Sequence, residues 1–212
     1  MNVKQFENNR WSEDNQIICF RHEEALNMID KGTVLDLGSG DGLFLSLLKK
    51  KGIIGKGLDV SEEGVTKTRA RGLEASLFDF NDKIPFEDNT FDTVVMLDLL
   101  EHLYSPEKLL KESSRVSKKT LIVSVPNFSS LPARLQTLLG RVPENNQPKK
   151  GHIFWFNYFI LKKMAGDSGF RLVDVRVNTF WQNYFLVGTI SKFLAKIWPS
   201  LFALSFVVKL NK

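Results

Sequence analysis

A short apolar run that leads into a glycine-rich turn is the feature that most constrains the fold of this chain. The run Thr33-Val34-Leu35-Asp36-Leu37 has the continuous apolar character of a buried strand. Gly38, Gly40 and Gly42 follow it at alternate positions, and residues 43–51 then carry apolar side chains at helical spacing. A strand, a turn without Cβ atoms and a helix make one βα unit, in which a ligand can pack against the turn backbone and the helix N–H groups.

Apolar runs alternate with helix-period segments along most of the chain, which is typical of βα units on a mainly parallel sheet. The polar residues 79–90 contain Pro85, so we expect little or no helix in that crossover. The pattern therefore predicts a doubly wound α/β fold. Its seven predicted strands lie at residues 33–37, 53–60, 73–78, 91–97, 120–125, 171–178 and 204–210.

The length of 212 residues suits one domain with short flanking pieces. Residues 1–32 are helix-like between residues 12 and 29, and we expect them to form an N-terminal helical segment that closes over the site as a lid. Residues 33–212 form the main α/β domain. Within it, the connection at residues 127–156 contains several prolines and is longer than compact domains usually need, so we expect it to carry function.

Residues 180–203 are strongly apolar and allow three interpretations. They could form a core element or dimer face between the last two strands, a lid over an apolar pocket, or a helix on a membrane surface. Lys192 and Lys196 lie four residues apart with Trp198 nearby, which is typical of interfacial helices. A homodimer and a peripheral membrane contact therefore both stay open at this point.

Composition excludes several classes of protein. Cys19 is the only cysteine, so neither an internal disulfide nor a cysteine-rich zinc site can form. The first residues lack the apolar run of a signal peptide, and no uncharged apolar stretch approaches the roughly 18 to 20 residues that span a bilayer, so we expect a cytoplasmic protein. The net charge of +5 includes short lysine clusters at predicted helix ends, and we do not expect a nucleic-acid partner.

The turn itself indicates what kind of ligand it holds. A dinucleotide-binding turn would place a third glycine where Leu43 stands. Asp36 precedes the glycines by two residues, where a carboxylate suits a ligand that carries an ammonium group. Asp41, inside the turn, would repel a pyrophosphate. The sequence therefore predicts a nucleoside ligand with a cationic tail.

Acidic residues also follow three further predicted strands, at the edge of the sheet where ligands of doubly wound folds collect. Asp59 ends the second strand and is placed to accept both hydroxyls of a ribose. Asp79 follows the third strand and is placed to accept the exocyclic amine of an adenine, with Phe80 on the ring face. Leu97 and Asp98 end the fourth strand beside the same crevice. Each acid alone has a second interpretation, Asp59 as a helix N-cap, Asp79 as a turn residue and Asp98 as an Asx turn.

Together these segments resemble the class I S-adenosylmethionine-dependent methyltransferases. The resemblance covers roughly residues 33–177 and rests on the run from Val34 to Gly42, on Gly57-Leu58-Asp59, Phe78-Asp79 and Phe91-Asp92-Thr93-Val94, and on Glu101-His102. The segments Val125-Pro126-Asn127-Phe128, Arg134-Leu135-Gln136 and Gly151-His152-Ile153-Phe154 are most similar to the methyltransferase-11 type and its MetW-like relatives. This family implies a seven-stranded sheet whose last strand is antiparallel. It also implies that S-adenosylmethionine (SAM) is the cofactor and S-adenosylhomocysteine (SAH) the product.

The resemblance assigns residues to parts of the cofactor. It implies that the three glycines of the turn line the methionine part, that Asp59 binds the ribose and that Asp79 binds the adenine. With their neighbours, the expected cofactor contacts are Asp36, Gly38, Ser39, Gly40, Gly42, Asp59, Val60, Asp79, Phe80, Leu97 and Asp98.

The transfer chemistry places demands on the acceptor side of the crevice. A methyl group on a sulfonium is already electrophilic, so the protein must align a nucleophile with it and accept a proton. His102 and His152 are the candidate bases, although each also has a structural interpretation. No histidines and acids have metal-ligand spacing in the sequence, so no catalytic metal is expected. The fourth strand lacks the Pro-Pro-aromatic turn used on amide or exocyclic nitrogens, which leaves O-, N- or C-methylation of a small-molecule, glycan-linked or lipid-linked acceptor.

Three alternatives stay open. A MetW-like chain could be a non-catalytic, cofactor-sensing partner of an acyltransferase in methionine biosynthesis. An NAD-linked oxidoreductase is disfavoured by Leu43 at the third glycine position. An RNA methyltransferase has only the modest positive charge in its favour, and a steep salt dependence of RNA binding would support it.

Overall fold

One sheet of seven strands organises the structure, a computed structural model that describes Asn8, residues 17–180 and residues 185–212. The strand order is β3-β2-β1-β4-β5-β7-β6. The strands are β1 (Thr33–Leu37), β2 (Ile54–Asp59), β3 (Glu74–Leu77), β4 (Phe91–Leu97), β5 (Ser117–Pro126), β6 (Arg171–Thr179) and β7 (Ala203–Asn211).

Helices cover both faces of this sheet. The α-helices are α1 (Phe20–Met28), α2 (Leu43–Lys50), α3 (Glu62–Ala70), α4 (Pro106–Val116), α5 (Leu131–Leu138), α6 (Tyr158–Asp167), α7 (Phe185–Ile197) and α8 (Pro199–Phe202). Short 3-10 helices lie at Leu100–His102, Glu144–Asn146 and Pro148–Lys150.

The strand pairing confirms the expected fold class. β1 pairs in parallel with β2 and β4, β2 with β3, and β4 with β5. The last strand, β7, lies between β5 and β6 and is antiparallel to both. The chain leaves β1 toward β2 on one side and returns to β4 on the other. The carboxyl ends of β1 and β4 therefore border the switch point where doubly wound sheets bind their ligands.

The core has two layers, one on each face of the sheet, because successive side chains of a strand point to opposite faces. Leu35 and Leu37 of β1 pack in the larger apolar cluster with residues of α4 and α6. Val34 packs in the second cluster with residues of α1 and α2. Asp36 shares the Val34 face by this alternation, so the carboxyl of a buried strand points toward the layer of α1 and α2.

The N-terminal helix is shorter than predicted. Residues 17–19 are not helical, and α1 begins at Phe20 because the extended backbone of Cys19 breaks the helical path. His22 helps to cap the N-terminus of α1, because its Nδ1 accepts the backbone N–H of Cys19 at 3.2 Å. Residues 12–16 of the predicted helix lie outside the described residues. The other predicted elements appear in their expected order, and the 79–90 crossover contains no helix.

The apolar stretch at residues 180–203 folds mainly into α7 and α8, and its residues 181–184 lie outside the described part of the chain. Ser191 and Ala195 of α7 are buried, and the hydroxyls of Ser191 and Thr179 lie 3.0 Å apart. On the outer face Ile190 is 58% exposed and Phe193 is 61% exposed. One side of α7 is thus a core element, while the dimer, lid and membrane interpretations of its outer side stay predictions. No helix within the described residues has the length and apolar character that crossing a membrane requires.

The two phenylalanines Phe206 and Phe193 provide a matched test of this packing. Phe206 is fully buried in β7. We expect Phe206→Ala to lower the free energy of unfolding by about 3–5 kcal/mol, because a large cavity replaces the ring. Phe193→Ala, on the exposed face of α7, should change it by no more than about 0.5 kcal/mol. Urea denaturation of the two variants measures both values, and equal losses would contradict the packing described here.

Candidate functional site

The turn after β1 can be built only with glycine at its key positions. Gly38 and Gly42 have φ of +76° and +82°, in the left-handed region that other residues rarely adopt. A Cβ at Gly42 would lie 2.8 Å from the side chain of Thr68 on α3, and one at Gly38 would lie 3.2 Å from Leu99. The turn is therefore pressed between α3 and the segment that follows β4, at the carboxyl end of β1.

Asp59 joins this turn to the end of β2. One oxygen of its carboxylate accepts the Gly40 N–H at 2.7 Å, and the other accepts the Ser61 N–H at 2.8 Å. The Ser61 hydroxyl accepts the Gly64 N–H at 3.0 Å, so Ser61 is the N-cap of α3 and the N-cap interpretation of Asp59 is wrong. Asp59 is buried at the crevice, next to the half-buried Val60. Their contacts with a cofactor stay predictions.

Asp36 and Ser39 place polar groups in the interior beside the same turn. Asp36 is 2% exposed and Ser39 is 7% exposed. Within the described part of the chain, Asp36 Oδ2 and Ser39 Oγ have no hydrogen-bond partner. Burial, with a smaller contribution from the charge of Asp59, raises the pKa of Asp36 to about 8. Buried polar atoms without partners cost roughly 1–3 kcal/mol each, so a polar ligand at the turn would recover that free energy.

Asp41 is not the isolated negative charge that the sequence suggested. The guanidinium of Arg71, at the end of α3, lies 3.2 Å from Asp41 Oδ2. This ion pair offsets the repulsion that was expected to exclude a pyrophosphate. The argument against a dinucleotide therefore rests on Leu43, which stands where a third glycine would be needed. Leu43 lies in the first turn of α2, and its N–H donates to Asp41 Oδ1 at 3.3 Å.

Asp79 and Phe80 lie at the end of β3. Asp79 Oδ1 accepts from both the backbone N–H and the side-chain amide of Asn81, at 2.9 and 2.8 Å. The turn-residue interpretation of Asp79 is thus confirmed. Phe80 is 9% exposed and packs edge-on against Phe78 with ring centroids 5.5 Å apart. Their contacts with an adenine stay predictions.

Asp98 connects the end of β4 to two other elements. It has a φ of +52°, uncommon for a residue other than glycine, and its N–H donates to the Ser124 hydroxyl of β5 at 2.9 Å. Its Oδ2 lies 3.3 Å from the guanidinium of Arg21 on α1. The half-buried Leu97 precedes it. The ion pair brings the first helix to the crevice edge, where we expected the N-terminal segment to act.

His102 and His152 lie together, with Glu101 as a third member of the group. The imidazole centroids are 4.9 Å apart, and His152 Nε2 lies 3.9 Å from Glu101 Oε1. All three side chains offer ligand atoms within 4.8 Å of one another. The fold therefore brings together a group that could hold a metal ion, which the spacing in the sequence did not indicate, and the expectation of no catalytic metal stays a prediction. Sequence spacing gave no signal, because 50 residues separate the two histidines.

The long connection delivers His152 to this position. The N–H groups of Ile153 and Phe154 donate to the Glu101 carbonyl at 2.9 and 3.0 Å. Phe128, at the start of the connection, packs edge-on against His152 with centroids 5.5 Å apart. Residues 127–156 thus form one wall of the site. They contact Glu101, which follows Leu99 by two residues, and the Leu99 side chain borders the glycine turn.

Solved structures share this architecture. A SAM-dependent methyltransferase from Thermotoga maritima aligns with a TM-score of 0.67 at 18% identity, covering 91% of this chain and 87% of the other. The magnesium protoporphyrin IX methyltransferase from Synechocystis, solved with bound SAH, aligns with a TM-score of 0.69 at 16% identity, covering 99% and 98%. The fold is that of the class I SAM-dependent methyltransferases.

Curated relatives agree with the fold. An uncharacterized protein of Methanocaldococcus jannaschii is 28% identical over 180 residues, which cover 82% of each chain. A phosphatidylethanolamine N-methyltransferase of Cereibacter sphaeroides is 27% identical over 150 residues, 68% of this chain and 72% of the relative. The bifunctional methionine biosynthesis protein MetXA/MetW of Rhodopirellula baltica is 31% identical over 118 residues, half of this chain but 19% of that protein.

The family follows from a match over most of the domain. The family model described as methionine biosynthesis protein MetW matches residues 20–163. The chain belongs to the MetW family, within the class I SAM-dependent methyltransferases.

The raised pKa of Asp36 predicts how stability changes with pH. The folded state binds a proton at Asp36 between about pH 3.8 and 8 that the unfolded state releases. This group therefore lowers the free energy of unfolding as pH rises through that range. We expect D36N, which cannot ionise, to become steadily more stable relative to the wild type from pH 4 to pH 8. Urea denaturation at several pH values measures the difference, and a difference independent of pH would contradict the burial of an ionisable Asp36.

Proposed function

We propose that this chain binds SAM in the crevice at the carboxyl ends of β1 and β4 and transfers its methyl group to an acceptor. The observation that carries the proposal is a pair of buried atoms, Asp36 Oδ2 and Ser39 Oγ, that have no hydrogen-bond partner among the described residues. They lie beside a turn in which Gly38 and Gly42 have left-handed backbones and no room for a side chain. A ligand with an ammonium group and a neighbouring sulfonium stabilises the ionised Asp36 by its positive charge.

The proposed cofactor pose follows the order of the strands. The amino acid part of SAM lies on Gly38 and Gly40, the ribose lies near Asp59, and the adenine lies beyond β3 near Asp79. Asp59 already holds the turn in place, so it can keep a ribose hydroxyl in register with the glycine backbone. Alignment of the methyl group with a nucleophile supplies the larger part of the acceleration, roughly 7–11 kcal/mol in favourable cases.

The acceptor side of the proposed site is the cluster of Glu101, His102 and His152. The half-buried His152 is the member with access to the surface. The exposed apolar face of α7, with Lys192 and Lys196 beside it, supports contact with a membrane surface and so an acceptor linked to a lipid. The Cereibacter relative is named for a lipid acceptor, which is in line with this choice.

A second function is favoured by the family itself. MetW occurs fused to MetXA in the Rhodopirellula protein, so the two activities act in one polypeptide there. In this alternative the chain binds SAM or SAH as a sensor and regulates an acyltransferase partner without transferring a methyl group. Both functions require the same cofactor crevice and differ only on the acceptor side.

Cofactor binding is tested by thermal melting of the purified chain with SAM, SAH or NAD. A ligand at about 100 times its dissociation constant adds roughly 2.7 kcal/mol. The melting temperature of a chain of this length should then rise by about 5–10 °C with SAM and SAH. D36N should lose most of this shift, whereas D167N, which removes an exposed carboxylate on α6, should keep it. Stabilisation by NAD alone would overturn the proposal.

The two functions are separated by transfer of a labelled methyl group from SAM to extracts that contain small molecules and lipids. Catalysis predicts a labelled product, reduced roughly 10²–10⁴-fold in H102Q and H152Q if these histidines act on the acceptor. The exposed E144Q, which lies in the same connection, serves as the matched control and should retain the rate. No labelled product, together with an acyltransferase that co-purifies with the chain and responds to SAM, would favour the sensor.

A further inference from the structure

The hydrogen bonds of His102 determine which of its ring nitrogens can bind a cation. His102 Nδ1 lies 3.1 Å from the Gly151 carbonyl oxygen. A carbonyl only accepts hydrogen bonds, so the neutral ring carries its proton on Nδ1 and its lone pair on Nε2. The backbone therefore sets the tautomer that presents Nε2 as a ligand.

A backbone carbonyl also determines the tautomer of His152. Its Nδ1 lies 2.8 Å from the Asn145 carbonyl oxygen, so in the neutral ring the proton again lies on Nδ1 and the lone pair on Nε2. That Nε2 faces Glu101 Oε1 at 3.9 Å. Backbone carbonyls that hold the outer ring nitrogen are the usual outer-shell partners of metal-binding histidines.

Glu101 adds a carboxyl group to this pair. Its side chain has no exposed surface, and its backbone carbonyl is held by Ile153 and Phe154 of the opposite wall. A carboxylate in the interior is costly unless positive charge lies close to it. A divalent cation between Glu101 and the two imidazoles would favour the ionised carboxyl by its positive charge.

We propose that Glu101, His102 and His152 form a binding site for one divalent transition-metal ion of the Zn²⁺ type. Two imidazole nitrogens and one carboxylate are the ligands this class prefers, whereas Mg²⁺ and Ca²⁺ prefer oxygen. A metal about 2.0–2.2 Å from each donor holds its ligand atoms roughly 3–4 Å apart. The three donors lie within 4.8 Å of one another, so small side-chain rotations close the site.

The metal would change the role of the two histidines in the proposed transfer. With Nε2 on the metal, His102 and His152 are ligands and do not accept the acceptor's proton. A remaining coordination position can bind an oxygen of the acceptor and lower the pKa of its hydroxyl. The metal site rests on the geometry of the cluster alone and does not require that the chain transfer a methyl group.

The test uses the full chain, stripped of metal by a chelator, without SAM. Isothermal titration with Zn²⁺ and visible absorption with Co²⁺ report metal binding directly. We expect one ion per chain, with affinity at least about 10-fold lower in E101Q, H102Q and H152Q, since loss of an outer-shell partner alone costs that much. Titration with Mg²⁺ should give the same heat signal in the wild type and in the three cluster variants.

Matched controls address the other donors in the chain. Cys19 Sγ lies 3.4 Å from Nδ1 of His22, the third histidine, so C19S and H22Q test a competing pair. E144Q tests the exposed carboxylate that lies in the same connection. All three should keep the wild-type affinity.

Several results would overturn the proposal. They are an absence of Zn²⁺ and Co²⁺ binding in the wild type, affinities unchanged in all three cluster variants, loss of binding in C19S or H22Q, or preference for Mg²⁺. Circular dichroism checks the fold of each variant. If the buried E101Q unfolds, the half-buried H152Q decides the result. Loss of the metal site would leave the SAM melting shift intact, so this failure is distinguishable from a failure of the proposed function.

Discussion

The carboxylate of Asp59 is the interaction on which the crevice depends. By accepting the N–H groups of Gly40 and Ser61 at 2.7 and 2.8 Å, it joins the glycine turn, the end of β2 and the start of α3. The same turn contacts α3 directly, since the Thr68 hydroxyl donates to the Gly40 carbonyl at 3.0 Å and a Cβ at Gly64 would lie 2.8 Å from that carbonyl. The shape of the crevice is thus set by close contacts to the turn backbone that leave little room for side chains.

The strands and the position of the crevice could be predicted from the sequence, because their signals are local. Continuous apolar runs mark buried strands, and the glycines after Leu37 mark a turn that passes close to α3 and Leu99. Asp36 could also be placed, since period-2 alternation puts it on the face of Val34 in a buried strand. The raised pKa of Asp36, and the lack of a hydrogen-bond partner for its Oδ2 among the described residues, could not be predicted. Both depend on the packing of α1 and α2 over that face.

The acceptor side could be predicted only in part. Both histidines were identifiable as polar residues near the crevice, but their contact with each other and with Glu101 requires the connection to fold back against the segment that follows β4. The hydrophobic periodicity of the sequence does not predict this path of the connection. The path depends on backbone hydrogen bonds to Glu101 and on the packing of the Phe128 ring against His152. The ion pair of Arg21 with Asp98 is equally invisible in the sequence, since it joins residues of two separate elements.

The location of β7 has a consequence for how the sheet assembles. β7 is the last strand in sequence but lies between β5 and β6, so β6 can join the sheet only through it. Until residues 203–211 have left the ribosome, β5 presents a long unpaired edge of the kind that recruits strands from other molecules. The half of the sheet that carries the glycine turn, from β3 to β4, has no such dependence. The strands that flank the glycine turn can therefore pair during synthesis while the opposite edge still requires protection from aggregation.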